Sequence, residues 1–196
     1  MEWHESDTAE NSSPAGAASA LINREVKEVR EGGRVSYRDL AERIEQGAQE
    51  QEHAPESVRQ YVDALRHFSH DAMITTLPEG VGGQFDGSSV EIATSTVEVD
   101  TGGVTQAIAR MEETMRHEAY HAVHHHTEVA VAPDASISTI MVGEGLNTEQ
   151  FIEGLTVAQT GNRFISDEYR QYEQKVRTGV RRAGLTLEEA ERELAA

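Results

Sequence analysis

The run from about Thr105 to Val123 constrains the fold of this chain more than any other segment, because it reads as one long helix with two different faces. At about 100° per residue, Ile108, Met111, Met115, Ala119 and Ala122 fall on one apolar stripe, which needs a core to pack against. His117 and His121, with Glu118 between them, fall on nearly the opposite side. Residues four apart on a helix share a face, so two imidazoles can grip one metal ion while Glu118 stands beside it. The pentapeptide His117-Glu118-Ala119-Tyr120-His121 therefore predicts a helix with one face in the core and the other turned to an open surface that holds a metal. The chemistry expected of it is metal-assisted hydrolysis, most often of a peptide bond.

A tetrahedral catalytic zinc takes three protein ligands and leaves its fourth position to water. The chain has no cysteine, so the ligands must come from His, Asp and Glu. His124-His125-His126 follows directly, but a helix rises about 1.5 Å per residue, and a third histidine further along overshoots an ion that every ligand must reach at about 2 Å. These three are read as groups around the site or as a polar helix end in solvent. The chain has to turn back, and a helix from about Thr148 to Thr160, capped by Asn147 or Thr148 and stopped at Gly161, provides the return. Its apolar stripe is Phe151, Leu155 and Ala158. Glu153 stands on the other face beside Gly154, where there is room for close approach, and is taken as the third ligand. Glu149, one turn earlier on that face, and Glu144, in a Gly-rich loop, stay open as alternatives, although the helix dipole already accounts for an acid in the first turn.

The remainder organises around these two helices. Residues 1–18, rich in Ser, Ala, Glu and Gly, read as a flexible tail, and residues 19–70 as a helical N-terminal section. Within it, helices are expected over about 20–31, from Ser36 as N-cap to near Gly47, and over about 55–69. Met73–Leu77, Gly83–Phe85, Val90–Ala93 and Thr96–Val99 are β-favouring runs that predict a small antiparallel or mixed sheet, with the strand near Val90 or that near Val97 as a candidate exposed edge. An edge beside a metal would offer main-chain hydrogen bonds to an extended substrate. The helix after Ser166 brings Tyr169 and Tyr172, and a C-terminal extension over 184–196 is divided off at Gly184, with Thr186 and Glu189 as a capping box. A catalytic domain over 71–183 and an α+β fold class follow.

A formal net charge of −18 disfavours nonspecific binding to nucleic acid or to an anionic membrane. The start has no basic region followed by an apolar run, and no stretch of 18 apolar residues occurs, so a soluble protein with the cytoplasm as default is expected.

His117 to Val123, followed by Phe151-Ile152-Glu153-Gly154-Leu155-Thr156, resembles the glutamate-zincin (gluzincin) metallopeptidases, in particular their small single-domain, minigluzincin-like members. Gly82 to Gly87 and the β-rich run Val90 to Val99 resemble the upper subdomain that precedes the active-site helix in such enzymes, and the similarity spans about residues 73–175. The resemblance implies one zinc ion on His117, His121 and Glu153, Glu118 as general base, and a peptide or protein as substrate. The segment of 31 residues between His121 and Glu153 departs from a minimal member, and its middle, Glu128 to Gly145, matches no element of the family. On this reading zinc lowers the pKa of its water towards ~7, Glu118 moves the proton to the leaving amine, and a further donor steadies the oxyanion. Tyr169 is the candidate donor, with Tyr172 and His125 beside it.

Two other functions remain open. Val35 to Ala41 and Ser57 to Val62 look like a helix-turn-helix, which with the metal motif resembles peptidase-type regulators of transcription, although residues 20–70 carry eight basic against ten acidic side chains. The alternative is a noncatalytic, zinc-stabilised interaction module.

Overall fold

The computed structural model describes residues 13–50, 55–68, 72–124 and 135–194. The chain divides into two compact units, residues 1–115 and 116–196.

The first unit is a mixed α/β arrangement. Helix α1 (Pro14–Gly32) starts within the stretch expected to be tail, because Ser13 accepts a hydrogen bond from the Gly16 amide and Pro14 supplies the fixed φ that suits a first helical turn. Ala18, Leu21, Ile22, Val26 and Val29 bury its inner face. Strand β1 (Val35–Ser36) leads into α2 (Tyr37–Gln49), where Ser36 caps the helix through the Asp39 amide as its sequence suggests. Helix α3 (Glu56–His67) packs Val58, Tyr61, Val62 and Leu65 inward. Strands β2 (Ala72–Thr75), β3 (Gly83–Phe85) and β4 (Val90–Ala93) complete a four-stranded sheet in the order β1-β2-β4-β3. The sheet is mixed: β2 runs parallel to β4, with Ile74 opposite Ile92, and the other pairs are antiparallel. Strand β4 is therefore interior and does not supply the exposed edge.

Residues 96–99 form no strand either. Thr94–Val97 makes a single helical turn, α4. Side chains from elsewhere bind backbone groups of this segment: Tyr61 donates to the Val97 carbonyl, and Asn23 both donates to and accepts from the Val99 backbone at 2.8 Å, while Thr96 Oγ1 itself donates to the Gly82 carbonyl at 2.7 Å. Arg110 Nε donates to the Thr96 carbonyl at 3.0 Å. The carbonyls so engaged are not available to a strand ladder.

Helix α5 (Gly103–His124) begins in the first unit and carries the histidine motif in its last turns. The second unit is helical throughout its described residues: α6 (Ser136–Glu144), α7 (Thr148–Thr160), α8 (Asp167–Arg182) and α9 (Leu187–Leu194). Asn147 caps α7 in a reciprocal box with Gln150, and Gly161 ends it in the left-handed conformation at φ 68°. Thr186 and Glu189 form the expected box before α9, at 3.1 and 2.7 Å. Ile137, Phe151, Leu155, Val176, Val180 and Ala190 form the core. Two glycines set how close its helices come: a Cβ on Gly154 would lie 2.6 Å from the Tyr172 carbonyl oxygen, and one on Gly179 would lie 2.3 Å from the Ile140 side chain. No helix among the described residues is long and apolar enough to cross a membrane.

Candidate metal centre

Three side chains of the second unit converge. His117 and His121, one turn apart on α5, direct their Nε2 atoms at each other across 3.1 Å, and Glu153 Oε2 on α7 lies 3.2 Å from the first and 3.4 Å from the second. Two imidazole nitrogens that face each other and one carboxylate oxygen cannot all be satisfied by a single proton. A cation among them resolves the repulsion. The geometry fits one: a tetrahedron with bonds of about 2.0–2.1 Å has edges of roughly 3.3–3.4 Å, and the three observed edges lie close to that. His117, His121 and Glu153 can thus hold a metal ion.

The electrostatics agree with the geometry. Burial pushes the Glu153 carboxyl up, but hydrogen bonds from His117 and His121 and the charge on those rings outweigh it and hold the group at about 2. Burial lowers His121, yet the hydrogen bond and charge of Glu153 raise it above its ordinary value overall. Glu153 is thereby held as a carboxylate, the form that can ligate a cation.

The expected orientation of α5 needs correction in its last turns. Met111 is fully buried as anticipated, but Ala119 is exposed, whereas His117 and Glu118 are only 4% and 6% exposed. The burial runs through Val104, Ala107, Met111, Thr114 and Glu118, spacings of three and four that pass onto the polar face at the motif. The histidines therefore do not project from an open surface. Glu118 makes no hydrogen bond among the described residues, and burial pushes its carboxyl up to about 6, against the pull of His117 and His121.

Of the three carboxylates considered, Glu153 is the one brought to the histidines. Glu144 instead receives Arg182 Nη1 at 2.6 Å, and Glu149 lies exposed in the first turn of α7. Tyr169 follows the Ser166 cap of α8, and its phenol donates no hydrogen bond among the described residues. Burial, then the charges of Glu153, Glu118, Glu149 and Glu168, push that phenol up to about 12. Tyr172 is committed elsewhere: it donates to Glu168 and accepts from Gln150 Nε2 at 3.3 Å. His125 and His126 lie outside the described residues, as does the side chain of His124.

Sequence inspection passed over two residues near the centre. Gln150, at the third position after Asn147, was legible as the partner in a capping box. Glu191 on α9, which accepts from Gln159 Nε2 at 3.4 Å, had no signal to separate it from the other acids of the C-terminal segment. On the other unit, Arg59 and Arg66 on α3 are engaged by Glu56 at 3.3 Å and Glu45 at 2.7 Å. No family model, curated protein or solved structure matches this chain.

Proposed function

We propose that this protein is a zinc-dependent peptidase of the glutamate-zincin kind, an endopeptidase with His117, His121 and Glu153 as metal ligands. The observation that supports the reading best is the near-equilateral triangle of Nε2, Nε2 and Oε2 atoms at 3.1–3.4 Å with a buried carboxylate on the adjoining residue. Bound zinc would supply Lewis acidity to a scissile carbonyl and acidify a water to near ~7.

The chain's own groups do the rest. Glu118, raised to about 6 and free of hydrogen bonds among the described residues, accepts a proton from water at its carboxylate and returns it to the leaving amine near neutral pH. Tyr169, held neutral well above physiological pH, offers its O–H to the oxygen on which negative charge develops. Glu149 lies one helical turn before Glu153, and both it and Glu168 lack an ion pair among the described residues. Their negative charge favours a basic side chain in the bound peptide.

The test is to incubate the purified zinc-loaded protein and its Glu118→Gln variant with a diverse peptide mixture and to read new termini by mass spectrometry. Cleavage by the wild type alone, enriched at basic residues, is expected. Silence from both, in protein that holds zinc, overturns the peptidase reading in favour of a zinc-stabilised interaction module.

A further inference from the structure

Away from the metal centre, the second unit holds a cleft of about 370 Å³ where the second half of α8 meets the start of α9, lined by Arg177, Val180, Arg181, Leu185, Thr186 and Leu187. Ligand clefts span about 300–1,000 Å³, so this one has room for a side chain or two. Val180 is buried, and Leu185 and Leu187 pack half-buried against the same core. The cleft therefore has apolar walls. Its polar character comes from two guanidinium groups one helical turn apart. Arg177 is fixed in place, because its Nε donates to Glu173 at 2.8 Å and its Nη2 to the Ala158 carbonyl at 2.9 Å, while Nη1 has no partner among the described residues. Arg181 makes no ion pair among the described residues.

The dipole of α8 accounts for cations in its last turn, where Arg181 and Arg182 lie, and Arg182 is also paired with Glu144 at 2.6 Å. It accounts neither for Arg177, which precedes that turn, nor for apolar walls beside Arg181. From residue 174 to residue 187 the chain carries Lys175, Arg177, Arg181 and Arg182 and no acid, although acids outnumber bases 35 to 17 over the whole sequence. Of the acids that follow, Glu189 is turned back on the Thr186 amide at 2.7 Å. Salt screens exposed charges beyond about 8 Å under physiological conditions, so the sign of these local groups outweighs the net charge of −18 in deciding what the cleft accepts.

We propose that this cleft docks an acidic peptide segment that carries an apolar side chain, the apolar group entering against Val180, Leu185 and Leu187 and a neighbouring carboxylate being taken by Arg177 and Arg181. The inference stands independently of the metal reading. A carboxylate matches the fork of N–H donors that a guanidinium presents, and an Arg177 already anchored at two atoms loses little freedom on binding it. The apolar side chain removes the open surface of Leu185 and Leu187 from water. Thr186 Oγ1 accepts from the Glu189 amide at 3.1 Å and keeps its own proton for a further acceptor. A nucleic-acid backbone offers the anion without an apolar side chain beside it. Arg177 and Arg181 lie roughly 12–18 Å along α8 from Tyr169, so a segment held here is apart from one at the metal centre.

The test is fluorescence anisotropy at physiological salt on the full chain carrying Glu118→Gln, so that no bound peptide is cut. Short fluorescein-labelled peptides of alternating glutamate and leucine, glutamate and serine, and lysine and leucine are compared. The glutamate–leucine peptide is expected to bind saturably and the other two at least about tenfold more weakly. Arg181→Glu in this background should weaken that peptide by about tenfold or more, whereas Lys175→Glu, the comparable change of charge on the same helix outside the cleft, should change it by less than about twofold. If Arg181→Glu fails to fold by circular dichroism, Arg181→Ala beside Lys175→Ala makes the same comparison. Absence of saturable binding, equal binding of the glutamate–serine peptide, or equal losses in the paired variants overturns the proposal. Binding of phosphatidylserine vesicles without binding of the peptide assigns the face to a membrane and overturns it as well.

Discussion

Glu25 in the first unit and Glu118 in the second are buried to almost the same extent, 7% and 6% exposed, yet their surroundings are opposite. Glu25 Oε1 accepts from Arg24 Nε at 2.9 Å and Nη2 at 2.7 Å, so its charge is paired where it lies. Glu118 makes no hydrogen bond among the described residues, and burial raises its pKa to about 6. Its neighbours are two histidines already turned toward Glu153. Other part-buried polar groups of the first unit are paired as well, as the Asn23–Val99 and Thr96–Gly82 hydrogen bonds illustrate. Fold stability accounts for the first arrangement. It does not account for the second, since a buried carboxylate without a partner costs stability, and that cost marks where chemistry is to be sought.

The largest effects should fall on activity. Glu118→Gln is expected to lower kcat/KM by about 10²–10⁴-fold with zinc content unchanged, while Glu25→Gln leaves kcat/KM at the wild-type value. Equal losses in the two variants, measured on a peptide identified from the mixture, would erase the contrast. The pH profile sharpens it. Glu118 must be ionised to accept a proton, so kcat/KM should fall on the acidic side. A bound cation pulls the raised carboxyl back down, which sets the midpoint at or below about 6. A midpoint above 7 would point to a different base.

Smaller effects concern stability. Glu118 has a folded pKa of about 6 against an ordinary value of 4.5, so its protonation stabilises the metal-free fold fully below about pH 4.5, and that contribution is lost as pH rises through 6. At pH 7.5 metal-free Glu118→Gln should therefore be more stable than wild type by about 1–2 kcal/mol in urea melts, and the two should converge below about pH 4.5. Glu25→Gln should show no such gain. Gly154→Ala forces a methyl into the Tyr172 backbone and should cost about 1–3 kcal/mol. Gly143→Ala, on the same unit but facing open space within α6, should gain up to about 1 kcal/mol, because alanine is the better helix former.

The parts of the fold that were legible in the sequence are those fixed by local chemistry. Ser36, Asn147 and Gly161 mark helix ends because capping needs only a side-chain oxygen or a left-handed residue at one position. Strands β3 and β4 were legible for the same reason, with Asp86 and Gly87 turning the chain between them. Strand β1, two residues long, has too little length for alternation to register. Parallel pairing of β2 with β4 leaves no mark that distinguishes it from antiparallel pairing. Thr96 to Val99 misleads because β-branched residues favour strands, whereas here side chains from elsewhere in the unit claim backbone groups of the segment. In the centre, the one-turn spacing of His117 and His121 follows from helix geometry alone, and a polar face on a helix carrying Gly154 pointed to Glu153. The burial of that face on α5 was not legible, because hydrophobic periodicity assigns polar residues to solvent and has no means to register a polar cluster whose partner lies on a later helix.

Zinc titration into metal-free wild type beside the Glu118→Gln, His121→Ala and Glu153→Ala variants, with stoichiometry read by elemental analysis, tests the central claim most directly. One zinc per chain in wild type and Glu118→Gln, with binding lost or weakened beyond about 100-fold in His121→Ala and Glu153→Ala, is the expected result. Tight one-to-one zinc in His121→Ala or Glu153→Ala, or none in the wild type, would contradict it.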